Sequence, residues 1–310
     1  MKTCPITYEQ FAGAGKYSQN GLNVLARNLK ELKDLPYSAE EQRHEAVARA
    51  SKISIQGVQP KLSARFSPAR TSFILVDIHG QYILKPQSQL YRELPQNEDL
   101  TMRLAAIAGI DVPLHGLVYS SDASFTYFIK RFDRKGRIRK LAVEDFAQLS
   151  GRTRDTKYDS SMEQVAKIIE QYCTFPAMEK LKLFRLTLFN YLVGNEDMHL
   201  KNFSLLTQDG KTSLSPSYDL INTTIALPNP VEELALPLKG KKSKFTADIF
   251  LDYFGIQRLQ LTPKVIDQVL TRLVDSIHEW QHLINISFLS PSLKERYLLL
   301  LKERRTILRL

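Results

Sequence analysis

The run "AMEKLKLFRLTLFNYLV" constrains this chain more than any other stretch. A helix-like run this apolar has to pack into a core, and Lys182 and Arg185 within it argue against a membrane span. With 310 residues, 43% of them apolar, the chain can supply that core as one large domain or as two packed lobes. The next segment is unusual. "GNEDMHLKNFSLL" crowds Asn195, Glu196, Asp197, His199, Lys201 and Asn202 together before the chain turns apolar again at "FSLL". Either this is an ordinary exposed turn, or the end of a packed helix holds chemistry in place.

Composition narrows the classes. Cys4 and Cys173 are the only cysteines, too few for a disulfide framework, so reduced thiols in a cytoplasmic protein are expected. The start, "MKTCPITYEQF", has no apolar signal core. The net charge of +10 fits contact with nucleic acid or an acidic partner, and equally a solvated basic surface. No helix-turn-helix, zinc-finger or RNA-binding pattern accompanies it, which argues against direct base reading.

Along the chain, "NGLNVLARNLKELKDL" has leucines at helical spacing, and "SAEEQRHEAVARA" opens with Ser38 and Glu41 in capping-box spacing. "PKLSARF", "TSFILVDI" and "QYILK" read as short strands, the last two connected through a His79-Gly80 turn. "NEDLTMRLAAIAGI" reads as a helix with Asn97 as cap, Glu98 and Asp99 in its first turn and Gly109 at its end. "LHGLVYS" and "FTYFIKRF" return to strand. Beyond about residue 140 helices dominate, broken by "FSLLTQDGKTSLSPSYDL", where Asp209-Gly210 marks a hairpin. A mixed first half and a helical second half predict two lobes.

Asp197 is followed five positions later by Asn202, and Asp219 lies beyond the hairpin. Phosphoryl transfer from ATP needs this inventory: a carboxylate to orient the attacking hydroxyl and take its proton, and a side-chain oxygen with a second carboxylate to hold Mg²⁺. D-x-x-x-x-N alone is a weak signal. The order of parts strengthens it, because a hairpin between two metal ligands folds them towards one point. His199 reads either as a turn histidine or as an ATP contact.

The first half offers counterparts. "SIQGVQPKLS" has a glycine and small or amide residues that can bring backbone N–H groups to phosphates, whereas "GAGKYS" lacks a Walker loop's first glycine and has Tyr17 where Ser or Thr must stand. Lys85, ending a strand, can meet ATP phosphates or sit at the surface. Glu98 can pair with it or serve the helix dipole. Lys130 to Phe132, in "IKRFDR", are placed where backbone groups could meet adenine.

Together these segments resemble the HipA-like toxin kinases, a bacterial serine/threonine kinase family. "SIQGVQPKLS", "YILKP", "NEDLTMRLAAIAGIDVP", "YFIKRFDR", "EDFAQLSG", "GNEDMHLKNFSLL" and "SPSYDL" run in family order from about residue 50 to 225. The resemblance implies an α+β, bilobed, protein-kinase-like fold, with a mixed amino-terminal lobe over 1–132 and a mostly helical carboxy-terminal lobe over 133–310. It implies MgATP-dependent phosphorylation of protein Ser/Thr, with Asp197 as catalytic base, Asn202 and Asp219 holding Mg²⁺, and Lys85 binding ATP phosphate. On that reading Ser54, Ile55, Gln56, Gly57, Val58, Gln59 and Lys61 face the nucleotide, joined by Lys130, Phe132 and His199. Family members autophosphorylate the serine corresponding to Ser54. A phosphate there adds roughly two negative charges beside the nucleotide and can eject the loop.

The chain looks more like the compact HipT form, whose missing amino-terminal piece is a separate small antitoxin encoded beside a helix-turn-helix repressor. Some compact forms carry a second phosphorylatable serine where this chain has Lys52, next to Ser51. The implied partners are that antitoxin, the repressor, DNA only through the repressor, and no membrane. The implied target is an aminoacyl-tRNA synthetase. The alternatives are a catalytically silent corepressor on a kinase fold and a small-molecule kinase.

Overall fold

The computed structural model describes residues 1–49, 59–136 and 138–310. Packing divides the chain into two compact units, each drawn from three stretches. Unit one comprises Met1–Leu100, Pro113–Arg139 and Asn285–Leu289; unit two comprises Thr101–Val112, Lys140–Ile284 and Ser290–Leu310.

Unit one opens with a small ribbon, β1 (Lys2–Thr3) against β2 (Gln10–Phe11), then α1 (Gln19–Leu25) and α2 (Ala39–Arg49). The capping box at α2 is present: Glu41 N donates to Ser38 Oγ at 3.2 Å, and Ser38 N donates to Glu41 Oε2 at 2.7 Å. The helix expected over "NGLNVLARNLKELKDL" stops at Leu25. Ala26 is extended, Asn28 is left-handed, and its N–H goes to Asn23 Oδ1 at 3.1 Å, a side-chain bond that competes with the helix ladder. Leu29, Leu32 and Leu35 are still buried, but from non-helical chain.

The rest of unit one is an antiparallel sheet of β3 (Leu62–Ser67), β4 (Ser72–Leu75), β5 (Tyr82–Pro86), β6 (His115–Tyr119) and β7 (Phe125–Lys130), ordered β4-β3-β5-β7-β6. His79 takes a positive φ of 57° on the way from β4 to β5, and both strands pair with β3, which lies between them. Leu62, Ala64, Phe73, Leu84 and Phe128 fill the core on one sheet face, as alternation requires. Between β5 and β6 runs α3 (Leu94–Ile107). It begins one turn earlier than expected, so Asn97 is inside the helix and is not its cap; its N–H bonds Glu93 O at 2.9 Å. Pro95 in the first turn has no N–H to leave unpaired, which lets the helix start upstream. Gly109 ends α3 at φ +78°, with Ile110 N bonded to Ala105 O and Gly109 N to Ala106 O, a Schellman closure. A short ribbon of β8 (Arg134–Lys135) and β9 (Arg139–Lys140) follows β7.

Unit two contains β10 (Ala142–Asp145), α4 (Phe146–Leu149), α5 (Met162–Tyr172), α6 (Pro176–Val193), β11 (Ser204–Gln208), β12 (Lys211–Leu214), α7 (Thr223–Ala226), α8 (Pro263–Ile286) and α9 (Pro291–Leu308). The Asp209-Gly210 hairpin forms, with φ of 51° and 75° at its two turn residues. β10 adds a third strand to it, pairing Asp145 with Ser204. The buried helix is α6: Leu183, Phe184, Leu188, Phe189, Tyr191, Leu192 and Val193 have no exposed surface. Trp280 of α8 meets the Phe189 ring edge-on at 5.6 Å and donates its indole N–H to Leu104 O at 2.9 Å. A ten-residue π-helix, Ile249–Arg258, also packs on α6; Gly255 leaves space where a Cβ would stand 3.1 Å from Phe184 Cε2. Among the described residues no helix is long and apolar enough to cross a membrane.

Candidate active site

In unit one the site residue fixed most firmly is Lys85. β5 is the central strand, and Lys85 faces Tyr127 of β7 in register. Its side chain is buried, 1% exposed for the residue, with Nζ 2.5 Å from Oε1 of Glu98, which has no exposed surface at all. Nζ also lies 5.6 Å from the centroid of the Tyr127 ring. Lys85 is therefore not a surface lysine, and Glu98 pairs with it from inside α3, past the first turn where the helix dipole would have used it. Beside Glu98 on α3, Asp99 Oδ1 meets His115 Nδ1 at 2.8 Å, also buried.

Lys130 ends β7. Its backbone N–H goes to Leu114 O at 2.7 Å, and that of Arg131 to Gln81 O at 2.8 Å, so both donors are already used by the sheet. Phe132, Gln59 and Lys61 are half-buried in this unit. Ser54, Ile55, Gln56, Gly57 and Val58, with Ser51 and Lys52, lie outside the described residues.

In unit two the candidate loop starts from the end of α6. Gly194 takes φ +69°, and Asn195 N bonds back to Asn190 O at 2.9 Å, turning the chain sharply off the helix. Gly194 O accepts from Thr224 N at 3.1 Å and from both Thr223 Oγ1 and Thr224 Oγ1, while Thr223 Oγ1 accepts from Glu196 N at 2.7 Å. The short α7 thus clamps the turn. A Cβ at position 194 would lie 2.5 Å from Thr224 Oγ1 and 2.6 Å from Leu300 Cδ2. Gly194→Ala is expected to cost about 2 kcal/mol or more, from left-handed strain plus this clash, with a matching fall in the urea midpoint.

Asp197 comes three residues on, its N–H bonded to Asn195 Oδ1 at 3.1 Å. Asn202 Nδ2 donates to Asp197 O at 2.8 Å, which bridges the five-residue interval and turns the amide oxygen of Asn202 away from that bond. Tyr218 then ties the segment before Asp219 to the same loop. Its Oη donates to Lys201 O at 3.0 Å and shares a 2.5 Å bond with Ser204 Oγ, so residues on either side of Asn202 are held beside the neighbour of Asp219. Asp219 itself is left-handed, φ 55°, a strained conformation for a residue other than glycine. Lys201 Nζ is anchored by Asp145 Oδ2 at 2.7 Å.

His199 is buried beside these groups, with Nε2 3.8 Å from Asp197 Oδ1 and no hydrogen-bond partner for Nδ1 among the described residues. Burial lowers its pKa; Asp197 and Asp219 pull it back up and Lys157 pushes it further down. The ring is therefore neutral at pH 7. A histidine whose folded pKa is depressed contributes fully above about pH 6.5 and loses that contribution as pH falls below it. His199→Gln should flatten the decline of the urea midpoint between about pH 6.5 and 5.

His199 stands 3.8 Å from Asp197, and Tyr218, next to Asp219, is bonded to Lys201 and Ser204, all within unit two. Among the described residues no three His, Cys, Asp or Glu side chains cluster as a self-sufficient metal site. Asn202 Oδ1 and the Asp219 carboxylate still suit Mg²⁺, which takes one or two protein oxygens and completes its shell with phosphate oxygens and water. Sequence reasoning missed Tyr158, whose Oη donates to Asp197 Oδ1 at 2.5 Å across 39 residues of chain. No local pattern announces such a contact.

The family model of the HipA-like C-terminal domain matches residues 53–281. A Haemophilus influenzae protein named "Putative kinase" is 30% identical over 287 residues, 82% of each chain. The "Serine/threonine-protein kinase toxin HipA" of Shewanella oneidensis is 28% identical over 190 residues, 55% of this chain and 43% of that protein. Among solved structures, the HipA, HipB and operator DNA complex of the Shewanella oneidensis MR-1 toxin antitoxin system superposes with a TM-score of 0.69 at 23% identity, covering 91% of this chain and 73% of that one. The Helicobacter pylori proinflammatory kinase CtkA gives a TM-score of 0.57 at 17% identity, over 82% and 91%. Both likenesses establish an α+β kinase-like fold.

Proposed function

The chain belongs to the HipA-like family, and on that footing we propose that it is a MgATP-dependent serine/threonine protein kinase of the toxin type. The observation that carries this reading is the buried Lys85–Glu98 pair. Ion pairs taken out of water are poor sources of stability, so a sheet core that could have been apolar has kept a charge that suits nucleotide phosphate. The Asp197–Asn202 loop and Asp219 add the complementary inventory in unit two.

In the reaction, Asp197 accepts the proton of a substrate hydroxyl as its oxygen attacks the γ-phosphorus. The bond to the β-phosphate oxygen breaks, and ADP leaves. Lys85, oriented by Glu98, offers positive charge to the phosphates. Asn202 and Asp219 would hold Mg²⁺, which would supply positive charge against the phosphate oxygens. Asn202 would do so with its amide oxygen, since its nitrogen is engaged with Asp197 O. Ser54 is the proposed site of self-phosphorylation. The proposed partners are a small antitoxin and a helix-turn-helix repressor, in line with the HipB and operator DNA of the Shewanella structure. The proposed target class is an aminoacyl-tRNA synthetase.

Incubating the protein with a bacterial lysate and ATP labelled at the γ-phosphate tests the reading. Label on protein is the expected result. Label on a small metabolite points instead to a small-molecule kinase, and no transfer to a silent binding module.

A further inference from the structure

Tyr158 lies in the segment between α4 and α5, where nothing in the phosphotransfer steps uses it. Its backbone neighbourhood is docked on the catalytic loop, with Leu200 N donating to Lys157 O at 3.2 Å. Its ring stands edge-on to His199, centroids 5.1 Å apart at 82°, and Lys157 Nζ and Lys242 Nζ lie 5.0 and 5.8 Å from its centroid. Its hydroxyl reaches Asp197 Oδ1 at 2.5 Å. Among the described residues it is the one hydrogen-bond donor to that carboxylate, whose side chain is 51% exposed.

We propose that Tyr158 is a positioning residue for the phosphotransfer, holding one oxygen of Asp197 so that the other faces the acceptor hydroxyl. The inference rests on the kinase reading. The last torsion of an aspartate is broad and roughly two-fold, so an exposed carboxylate samples many orientations. One short bond to Oδ1 fixes the plane and with it the direction of Oδ2. Reactions that depend on a placed base lose rate steeply when that placement is relaxed. The phenol is suited to remain a donor. Burial first, then the hydrogen bond to Asp197 and the charges of Asp197 and Glu232, push its pKa well above the ordinary tyrosine range. It keeps its proton across the working range of pH. It therefore acts through Asp197, and does not compete for the substrate's proton.

The test uses the full chain and four proteins: the parent, Tyr158→Phe, Asp197→Asn and the double variant. Each is treated with phosphatase, then assayed for initial rate of label transfer from γ-labelled MgATP into lysate protein, across a range of ATP. Phenylalanine keeps the ring against His199 and removes only the hydroxyl. The expected result is a fall in kcat of about tenfold with KM for ATP unchanged, and no further loss when Tyr158→Phe is added to Asp197→Asn. Turnover within about twofold of the parent overturns the proposal. So does a rise in kcat, which would mean that the phenol blocks the acceptor's place on the carboxylate. A joint loss of turnover and ATP affinity, or an equal loss in the Asp197→Asn background, also overturns it, because the hydroxyl then serves the fold alone. A parent that transfers no phosphate removes the inference together with the kinase reading, whereas an active parent with an unaffected Tyr158→Phe removes the inference alone.

Discussion

Replacing Lys85 with methionine should destabilise the protein by about 3–5 kcal/mol and abolish phosphate transfer. Methionine has nearly the volume and reach of the lysine stem, so little packing is lost. Glu98, with no exposed surface, is then deprived of the Lys85 ammonium that stands 2.5 Å from its carboxylate. An ionised carboxylate in that position has lost the charge that offset its desolvation. The double variant, Lys85→Met with Glu98→Gln, should recover most of the stability because both charges are gone. It should recover none of the activity, since Lys85, the side chain proposed to present positive charge to the phosphates, is still absent. Urea unfolding and label transfer, measured on the two single variants and the double, separate these effects. If the double variant is as unstable as Lys85→Met, the pair is not the source of the loss.

Asp197→Asn should lower kcat by about a thousandfold while leaving MgATP affinity within a few-fold of the parent. The amide keeps the shape of the side chain, and Tyr158 Oη can still donate to its oxygen. The backbone bonds that build the loop, Asn202 Nδ2 to Asp197 O and Asp197 N to Asn195 Oδ1, do not involve the carboxylate. The variant loses the ability to take a proton. Stability should therefore hold, and a large fall in the urea midpoint would mean that Asp197 is chiefly structural.

Much of this arrangement is legible in the sequence because it is local. The end of α6 is announced by an apolar run meeting Gly194, and the Asp209-Gly210 hairpin by residues that tolerate positive φ. A helix end, a loop and a hairpin lead from Asp197 through Asn202 to Asp219 within unit two, and Tyr218 ties the residue before Asp219 to Lys201 and Ser204. Spacing alone misleads where the backbone has another option. The leucines at 29, 32 and 35 repeat like a helix, yet Asn23 captures the Asn28 N–H and the chain supplies those side chains to the core in an irregular path. At α3 the sequence offers Asn97 as a cap, but Leu94 and Pro95 are compatible with an earlier start, so the cap signal is overridden. The contacts no local pattern can give are those closed by tertiary packing. Strand β10 pairs with β11 across the whole of α4, α5 and α6, and Tyr158 reaches Asp197 from a loop with no periodicity of its own. The buried state of the Lys85–Glu98 pair is of the same kind, since a lysine near a strand end and a glutamate on a helix are both ordinary surface residues until a sheet and a helix enclose them.

Titrating ATP into the protein with and without Mg²⁺, and repeating it with the Asn202→Ala, Asp219→Asn double variant, tests the central claim most directly. The account predicts that tight binding to the parent requires the metal and that the double variant loses at least about tenfold in affinity when Mg²⁺ is present, with little change when it is absent. Equal affinity in all four titrations would contradict it.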